Sequence, residues 1–321
     1  MKSRPIVIVA GEPRSVFLEI FFKSIKKKKF KSPIILICCK KLLIREMKIN
    51  NFKKKIKEFE IKDLKKIKLN NNFINLINVR LLINSKKENH NKLINIYINQ
   101  CLKIGFKIIQ KKFTNKFVNG PINKSTFLSK KYLGMTELIS KHFNQKNTGM
   151  LIYNNKLSVS PITTHLPIKL VSKKINKKIV KKNIEIIHSF FKNIIKKKAR
   201  IAVAGLNPHC ESILSFNEDK MIIEPIIKKL NKKGIDVEGP YPADTLFLKK
   251  NRQKYNVIIG AYHDQVLGPF KTLFEYDAIN ITIGLPFLRV SPDHGPNLKM
   301  YGKKKSNALS LIKCLEFLDK Q

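Results

Sequence analysis

Arg200-Ile201-Ala202-Val203-Ala204-Gly205-Leu206-Asn207-Pro208-His209 runs without a break from an apolar strand into a polar loop. Four consecutive apolar residues between Arg200 and Gly205 suit a strand buried on both faces, as in a parallel sheet. Upstream, residues 176–198 carry a long basic helical pattern. Downstream, 219–233 carry another, with Gly234 placed as its C-cap. Helix, strand and helix in succession make the repeating unit of a largely parallel sheet with helices on both faces. The unit recurs. Residues 5–10 and 33–39 read as buried strands around a helix over 15–29, whose apolar face holds Val16, Ile20 and Phe21. Leu93, Ile96, Ile104 and Ile108 give helical spacing over 92–112, and Val118-Asn119-Gly120-Pro121 ends a short strand in a turn. A helix over 135–144, a hairpin over 150–162 turning at Asn154-Asn155, strands at 256–260 and 279–284, and a helix over 307–319 follow. Residues 41–88 are rich in Lys and Asn, with weak periodicity, and no internal repeat is present.

A chain of 321 residues exceeds the usual single core, so two lobes are expected. No run of 18 apolar residues occurs, and Met1-Lys2-Ser3-Arg4 leads straight into Pro5-Ile6-Val7-Ile8-Val9-Ala10 without a signal-peptide pattern. These features predict a cytoplasmic protein with no membrane partner. The five cysteines form no CxxC pair, which fits reduced, packed thiols; Cys210 adjoins His209 and reads as a packed residue rather than a ligand. The net charge of +43 raises nucleic acid as a partner. Its distribution argues otherwise. Lysines mix with Ile and Asn, as in Lys173-Lys174-Ile175-Asn176-Lys177-Lys178, and arginine occurs at only seven positions. No aromatic-interleaved RNA-binding motif accompanies them. Solvated helix faces, with a salt-sensitive attraction for polyanions and no specific nucleic acid, are the expectation.

Three of the seven histidines follow strand-like runs: Thr163-Thr164-His165-Leu166-Pro167, Gly205-Leu206-Asn207-Pro208-His209 and Tyr262-His263-Asp264-Gln265. Three imidazoles with an open position are a catalytic metal arrangement, so His165, His209 and His263 are candidate ligands of one divalent ion. Imidazole softness favours Zn, Co or Ni, while Mg or Mn can serve where substrate oxygens complete the shell. Residues 239–294 are dense in further polar groups. Lys271 and Arg289 are natural phosphate or carboxylate binders, and Asn280 can donate to the same anion. Asp244, Asp264 and Lys271 are candidate general bases. There is no GxGxxG after any strand and no phosphate-binding P-loop, so any nucleotide is held by other means.

Together, Gly11-Glu12-Pro13, Gly120-Pro121-Ile122-Asn123-Lys124, Thr136-Glu137, the three histidine motifs, Gly239-Pro240-Tyr241-Pro242-Ala243-Asp244-Thr245-Leu246-Phe247 and the stretch 279–295 make the chain resemble the 4-hydroxythreonine-4-phosphate dehydrogenase family of pyridoxal phosphate (pyridoxine) biosynthesis. The resemblance covers most of the chain and is weakest over 41–110. It implies a two-lobed α/β fold like that of isocitrate and isopropylmalate dehydrogenases, with an active-site cleft between the lobes. The first lobe, on the cofactor side, would comprise 1–130 plus 296–321; the second, with the metal ligands and dimer interface, 131–295. It implies a homodimer with shared active sites and a small phosphorylated hydroxy amino acid as substrate. It makes His165, His209 and His263 metal ligands, and Met135, Thr136, Lys271, Asn280 and Arg289 substrate-binding positions. Asp293, His294 and Gly295 resemble the loop that holds the adenosine end of NAD or NADP. The implied reaction is NAD(P)-dependent, metal-assisted oxidation of 4-phosphohydroxy-L-threonine to a β-keto acid, which decarboxylates to 3-amino-2-oxopropyl phosphate.

The chain departs from the family at three places. Met135 stands where the family usually has His and cannot donate a hydrogen bond. Arg14-Ser15-Val16-Phe17 follows Pro13 in place of a Gly-rich loop, and Glu211-Ser212-Ile213-Leu214 follows His209-Cys210 in place of a Gly-rich continuation. Met135 keeps open a paralogous dehydrogenase of another phosphorylated sugar acid, 4-phosphothreonate or 4-phosphoerythronate. A polyanion-binding protein built on the same scaffold is the alternative of a different class.

Overall fold

The structure is a computed structural model that describes residues 3–82, 90–128, 132 and 134–321. The chain runs β1 (Ile6–Val9), α1 (Phe17–Lys27), β2 (Ile34–Cys38), α2 (Lys40–Ile49), β3 (Ile56–Glu58), β4 (Ile74–Asn78), α3 (His90–Gln110), β5 (Lys116–Asn119), α4 (Lys124–Phe127) and α5 (Met135–His142). It continues through β6 (Gly149–Tyr153), β7 (Ser158–Thr163), α6 (Val171–Lys174), α7 (Lys177–Phe190), β8 (Ile201–Ala204), α8 (Glu224–Asn231), β9 (Val237–Tyr241), α9 (Ala243–Leu246) and α10 (Lys249–Arg252). The last elements are β10 (Val257–Tyr262), α11 (His263–Phe274), β11 (Ile279–Ile283), β12 (Leu288–Pro292) and α12 (Leu309–Asp319). They form two compact units, Met1–Tyr132 with Pro286–Gln321, and Leu133–Leu285.

In the first unit the strands lie in the order β3-β4-β2-β1-β5-β12, and every neighbouring pair is parallel. Central strands β1 and β2 are buried along their whole length, which their unbroken Ile/Val/Leu runs require. The turn after β1 depends on Gly11, whose φ is +78° and whose missing side chain leaves room for the Pro121 carbonyl. The Glu12 amide donates to that carbonyl at 2.9 Å.

The second unit has the order β11-β6-β7-β10-β8-β9. Strand β10 is parallel to β7 and β8, and β8 to β9, whereas β6 is antiparallel to both β7 and β11. The hairpin over 150–162 is therefore present as expected. Ile152, Val159, Ala202, Ile258, Val266 and Phe270 share its core. Burial of each larger side chain contributes about 1.5–3 kcal/mol.

Some elements differ from the sequence reading. The chain re-enters the first unit at Pro286, not at 296, because β12 pairs with β5 from Leu288 to Val290. Strand β12 escaped the hydrophobic pattern because it buries Arg289 in mid-strand. Strand β9 contains Gly239-Pro240, which a sheet edge tolerates because an outward-facing amide is not needed there. Helix α11 holds Pro269. The basic helix over 176–198 is regular only to Phe190, where a wider turn (Phe191–Ile195) leads to Lys196 at φ +60°. The helix over 219–233 likewise begins with a wide turn, Asp219–Ile223, before α8. Gly234 ends it at φ +79°, as expected.

Candidate active site

Strands β7, β10 and β8 are adjacent and parallel, so their carboxyl ends lie side by side. Each end carries one of the histidine motifs. The carboxyl ends of parallel strands are where open α/β sheets bind ligands. His165, two residues past β7, and His263, at the start of α11, bring their rings to a centroid separation of 5.8 Å. His263 Nδ1 lies 2.6 Å from Asp264 Oδ1. A carboxylate only accepts, so in the neutral ring Nδ1 carries the proton and Nε2 keeps its lone pair. Asp264 is one of the three candidate bases read from the sequence, and the structure places its carboxylate against the His263 ring.

His209 follows the third of these strands, β8. It sits in a left-handed turn (φ +55°), is exposed, and lines a cavity of about 350 Å³ with Glu224, Lys228 and Pro240. Its loop is held by two groups to which the sequence reading gave no role. Asp219, fully buried, accepts from the Leu206 amide at 2.7 Å, the Asn207 amide at 3.0 Å and Asn207 Nδ2 at 3.0 Å. Gln265 accepts from the Ala261 amide and donates to the Gly205 carbonyl, each at 2.7 Å, and so ties the β8 loop to the start of α11. Cys210 follows His209 at φ +61°; burial, with the Asp219 charge next in weight, pushes its thiol up to about 11, which suits a packed thiol rather than a ligand. Three imidazoles are the right donors for a borderline divalent ion. Among the described residues, however, no three His, Cys, Asp or Glu side chains lie close enough to share one. The structure brings the rings of His165 and His263 together, with His209 at the end of the neighbouring strand β8.

Helix α5 closes around the histidine pair from another side. Gly134 precedes it, and a Cβ there would lie 2.9 Å from Glu137 Oε2 and 3.1 Å from His165 Cε1. Glu137 and His165 therefore converge on the space that this glycine leaves. Glu137 Oε1 accepts from Thr164 Oγ1 at 3.2 Å. Its Oε2 is buried and has no hydrogen-bond partner among the described residues. Thr136 Oγ1 lies 3.0 Å from Thr282 Oγ1 on β11. Asn280, two residues earlier on the same strand face, has a buried Oδ1 with no partner among the described residues. Thr136 and Asn280 are thus both associated with one face of β11. Thr282 was missed, though its period-two spacing from Asn280 would have found it. Met135 is buried. Lys271 lies two turns along α11 from His263, its Nζ donating to the Glu275 carbonyl at 3.3 Å. Asp244 is exposed on α9, and its charge reaches Cys210.

The remaining expected residues belong to the first unit. Arg289 is buried on β12, with Nε donating to Asn119 Oδ1 at 2.7 Å. Past β12, the Asp293 amide donates to Ser310 Oγ at 2.9 Å and His294 Nδ1 lies 2.9 Å from the Gly295 carbonyl. Gly295 has open space where a side chain would project. Glu12 is buried beside α1, and that burial raises its carboxyl above its ordinary value despite hydrogen bonds from the Asn123 and Arg14 amides.

Residues 29–318 match the family model described as pyridoxal phosphate biosynthetic protein PdxA. The chain is 32% identical over 318 residues to a 4-hydroxythreonine-4-phosphate dehydrogenase of Sulfurihydrogenibium, covering 97% of this chain and 96% of that protein. It is 35% identical over 217 residues to a D-threonate 4-phosphate dehydrogenase of Pectobacterium atrosepticum, covering 66% of this chain and 67% of that one. Among solved structures, a 4-hydroxythreonine-4-phosphate dehydrogenase from Klebsiella pneumoniae superposes with a TM-score of 0.82 at 26% identity, covering 99% of both chains. The expected α/β fold is the observed one, and the chain belongs to the PdxA family of pyridoxal phosphate biosynthetic proteins.

Proposed function

We propose that this chain is an NAD(P)-dependent oxidoreductase that oxidises the secondary alcohol of 4-phosphohydroxy-L-threonine, after which the β-keto acid loses CO2 to give 3-amino-2-oxopropyl phosphate. Family membership over 29–318 supports the reaction class. The observation that carries the site is the His165–His263 pair, with Asp264 on His263 and Glu137 beside His165. Asp264 keeps the His263 Nε2 lone pair available to the reacting centre. Thr136 and Asn280 offer hydroxyl and amide groups to the substrate, and Lys271 and Arg289 supply cations suited to a phosphate. Fixing the phosphate aligns the C–H bond with the nicotinamide, a gain of orientation rather than of chemistry. Since Asp264 is engaged with His263, the proton acceptor falls to Lys271 or Asp244. Asp293, His294 and Gly295 are the residues we assign to the cofactor's adenosine end. His165 and His263 are the donors available to a divalent ion such as Zn, Co or Mg, which when bound lowers the pKa of the alcohol. The exposed side chains of Ile213, Leu214, Phe216 and Met221 support an assembly that covers them, and we propose a homodimer.

A second reading has its own support. The Pectobacterium relative acts, by its name, on D-threonate 4-phosphate, and Met135 removes a donor from the substrate side. Comparing kcat/KM for 4-phosphohydroxy-L-threonine and D-threonate 4-phosphate separates the readings. A preference of at least about 10-fold for the first is expected; the opposite preference reassigns the substrate.

A further inference from the structure

Between β12 and α12, residues 293–308 of the first unit hold no element longer than the short turn Leu298–Met300. Asn297 and Lys304 both take left-handed conformations, φ +48° and +57°, which a lysine side chain disfavours. Keeping such a loop in one shape needs contacts that offset its entropy.

Two buried carboxylates supply most of them. Glu46 on α2 accepts from the Tyr301 hydroxyl at 2.5 Å. Arg45 closes the triangle, its Nη2 donating to the Tyr301 hydroxyl at 2.8 Å and to Glu46 Oε1 at 3.1 Å. Glu19 on α1 accepts from the Ser306 amide at 2.8 Å and the Ser306 hydroxyl at 3.0 Å. Lys23, one turn along α1, donates to Glu19 at 2.7 Å and to the Lys304 and Ser306 carbonyls, each at 2.9 Å. The Pro296 carbonyl accepts from the Val16 amide at 3.2 Å. Burying a carboxylate is costly unless its hydrogen bonds are made. Glu19 and Glu46 make theirs to this loop and to the cations beside it. The loop is thus fastened at Pro296, Tyr301 and Ser306, and it begins with Asp293, His294 and Gly295.

We propose that Tyr301, through Glu46 and Arg45, is a positioning residue for the dinucleotide cofactor, holding the loop in its binding shape before the cofactor arrives. The inference rests on the assignment of residues 293–295 to the adenosine end. Its physical basis is preorganisation, which removes the ordering cost from cofactor binding. The outer fastenings at Pro296 and Ser306 remain when the Tyr301 hydroxyl is lost, so the loop loosens without coming away.

Tyr301→Phe keeps the ring and deletes the hydroxyl. Calorimetry on the full chain with NADH, NADPH and ADP-ribose reads affinity without turnover. The variant should bind the preferred dinucleotide and ADP-ribose about 5–10-fold more weakly, both by the same factor. In turnover, the KM for the oxidised dinucleotide should rise about as much, with kcat within about 2-fold and the KM for the phosphorylated substrate unchanged. Glu46→Gln, which still offers the Tyr301 hydroxyl an acceptor, should lose no more than about 3-fold, and Glu46→Leu should show the full loss. Equal ADP-ribose affinity in wild type and Tyr301→Phe, with or without a fall in melting temperature, overturns the proposal and leaves the assignment of 293–295 standing. An equal weakening of the phosphorylated substrate also overturns it, since that would be general damage. Wild type that binds no dinucleotide overturns the assignment itself, and this inference with it.

Discussion

Gly134 is the residue on which the histidine pair depends most. Any side chain there would press on Glu137 Oε2 and the His165 ring. Gly134→Ala should lower kcat/KM about 10-fold or more, while the melting temperature moves little, because the site and not the core absorbs the strain. Asp264→Asn should cost about 10–100-fold in activity, since the amide no longer fixes the His263 tautomer. Glu12 gives a pH signature. Its folded pKa lies above the reference value of 4.5 because of burial. The protonated form therefore favours folding: stability is fully present below the unfolded value and is lost as pH rises through the folded one. Glu12→Gln should melt higher than wild type near neutral pH, and the gain should vanish as the buffer approaches about pH 4. Thermal melts of both proteins across that window check the sign. At this scale the sequence singled out His165 and His263 for their own chemistry, and the structure brings their rings together. It was silent on Asp219 and Gln265, which act by holding backbone, because an Asp in a basic helix and a Gln after His263 look like ordinary surface residues.

Elements carry the next layer of the account. Strands β7, β10 and β8 were legible as apolar runs, and their adjacency follows from parallel pairing that local patterns do not encode. Strand β12 was not legible, because a buried Arg289 breaks the run and only its pairing with β5 defines it as a strand. Residues 41–88 hid α2, β3 and β4 behind lysine and asparagine, which blur both periods; Asn71 and Asn75 there proved to be fastenings rather than filler. The loop from β8 to α8 illustrates the reverse dependence, where one buried carboxylate shapes a segment. Asp219→Ala leaves the Leu206 and Asn207 amides without their acceptor, at a cost of about 1.5–3 kcal/mol. Denaturant melts should register that loss. If His209 contributes to turnover through its loop, kcat/KM should fall in parallel; an unchanged kcat/KM would confine Asp219 to stability.

At the level of the whole molecule the charge is the dominant fact. A net +43 predicts adsorption to RNA or heparin that weakens steeply with salt. Replacing Lys196, Lys197 and Lys198 with Gln should flatten that salt slope and leave turnover unchanged, since these exposed residues follow α7 and are not among the proposed site residues. Among the described residues, no helix is long and apolar enough to cross a membrane. The central claim is that the His165–His263 pair is the working centre of an NAD-dependent oxidation. It is tested most directly by NADH formation from 4-phosphohydroxy-L-threonine with an added divalent metal, in wild type, His165→Ala, His263→Ala and His209→Ala. The account predicts turnover by wild type and a loss of more than about 100-fold in the first two variants, beyond what an orienting residue would cost. Wild-type rates in both His165→Ala and His263→Ala, or no NADH from folded, metal-supplied wild type, would contradict it.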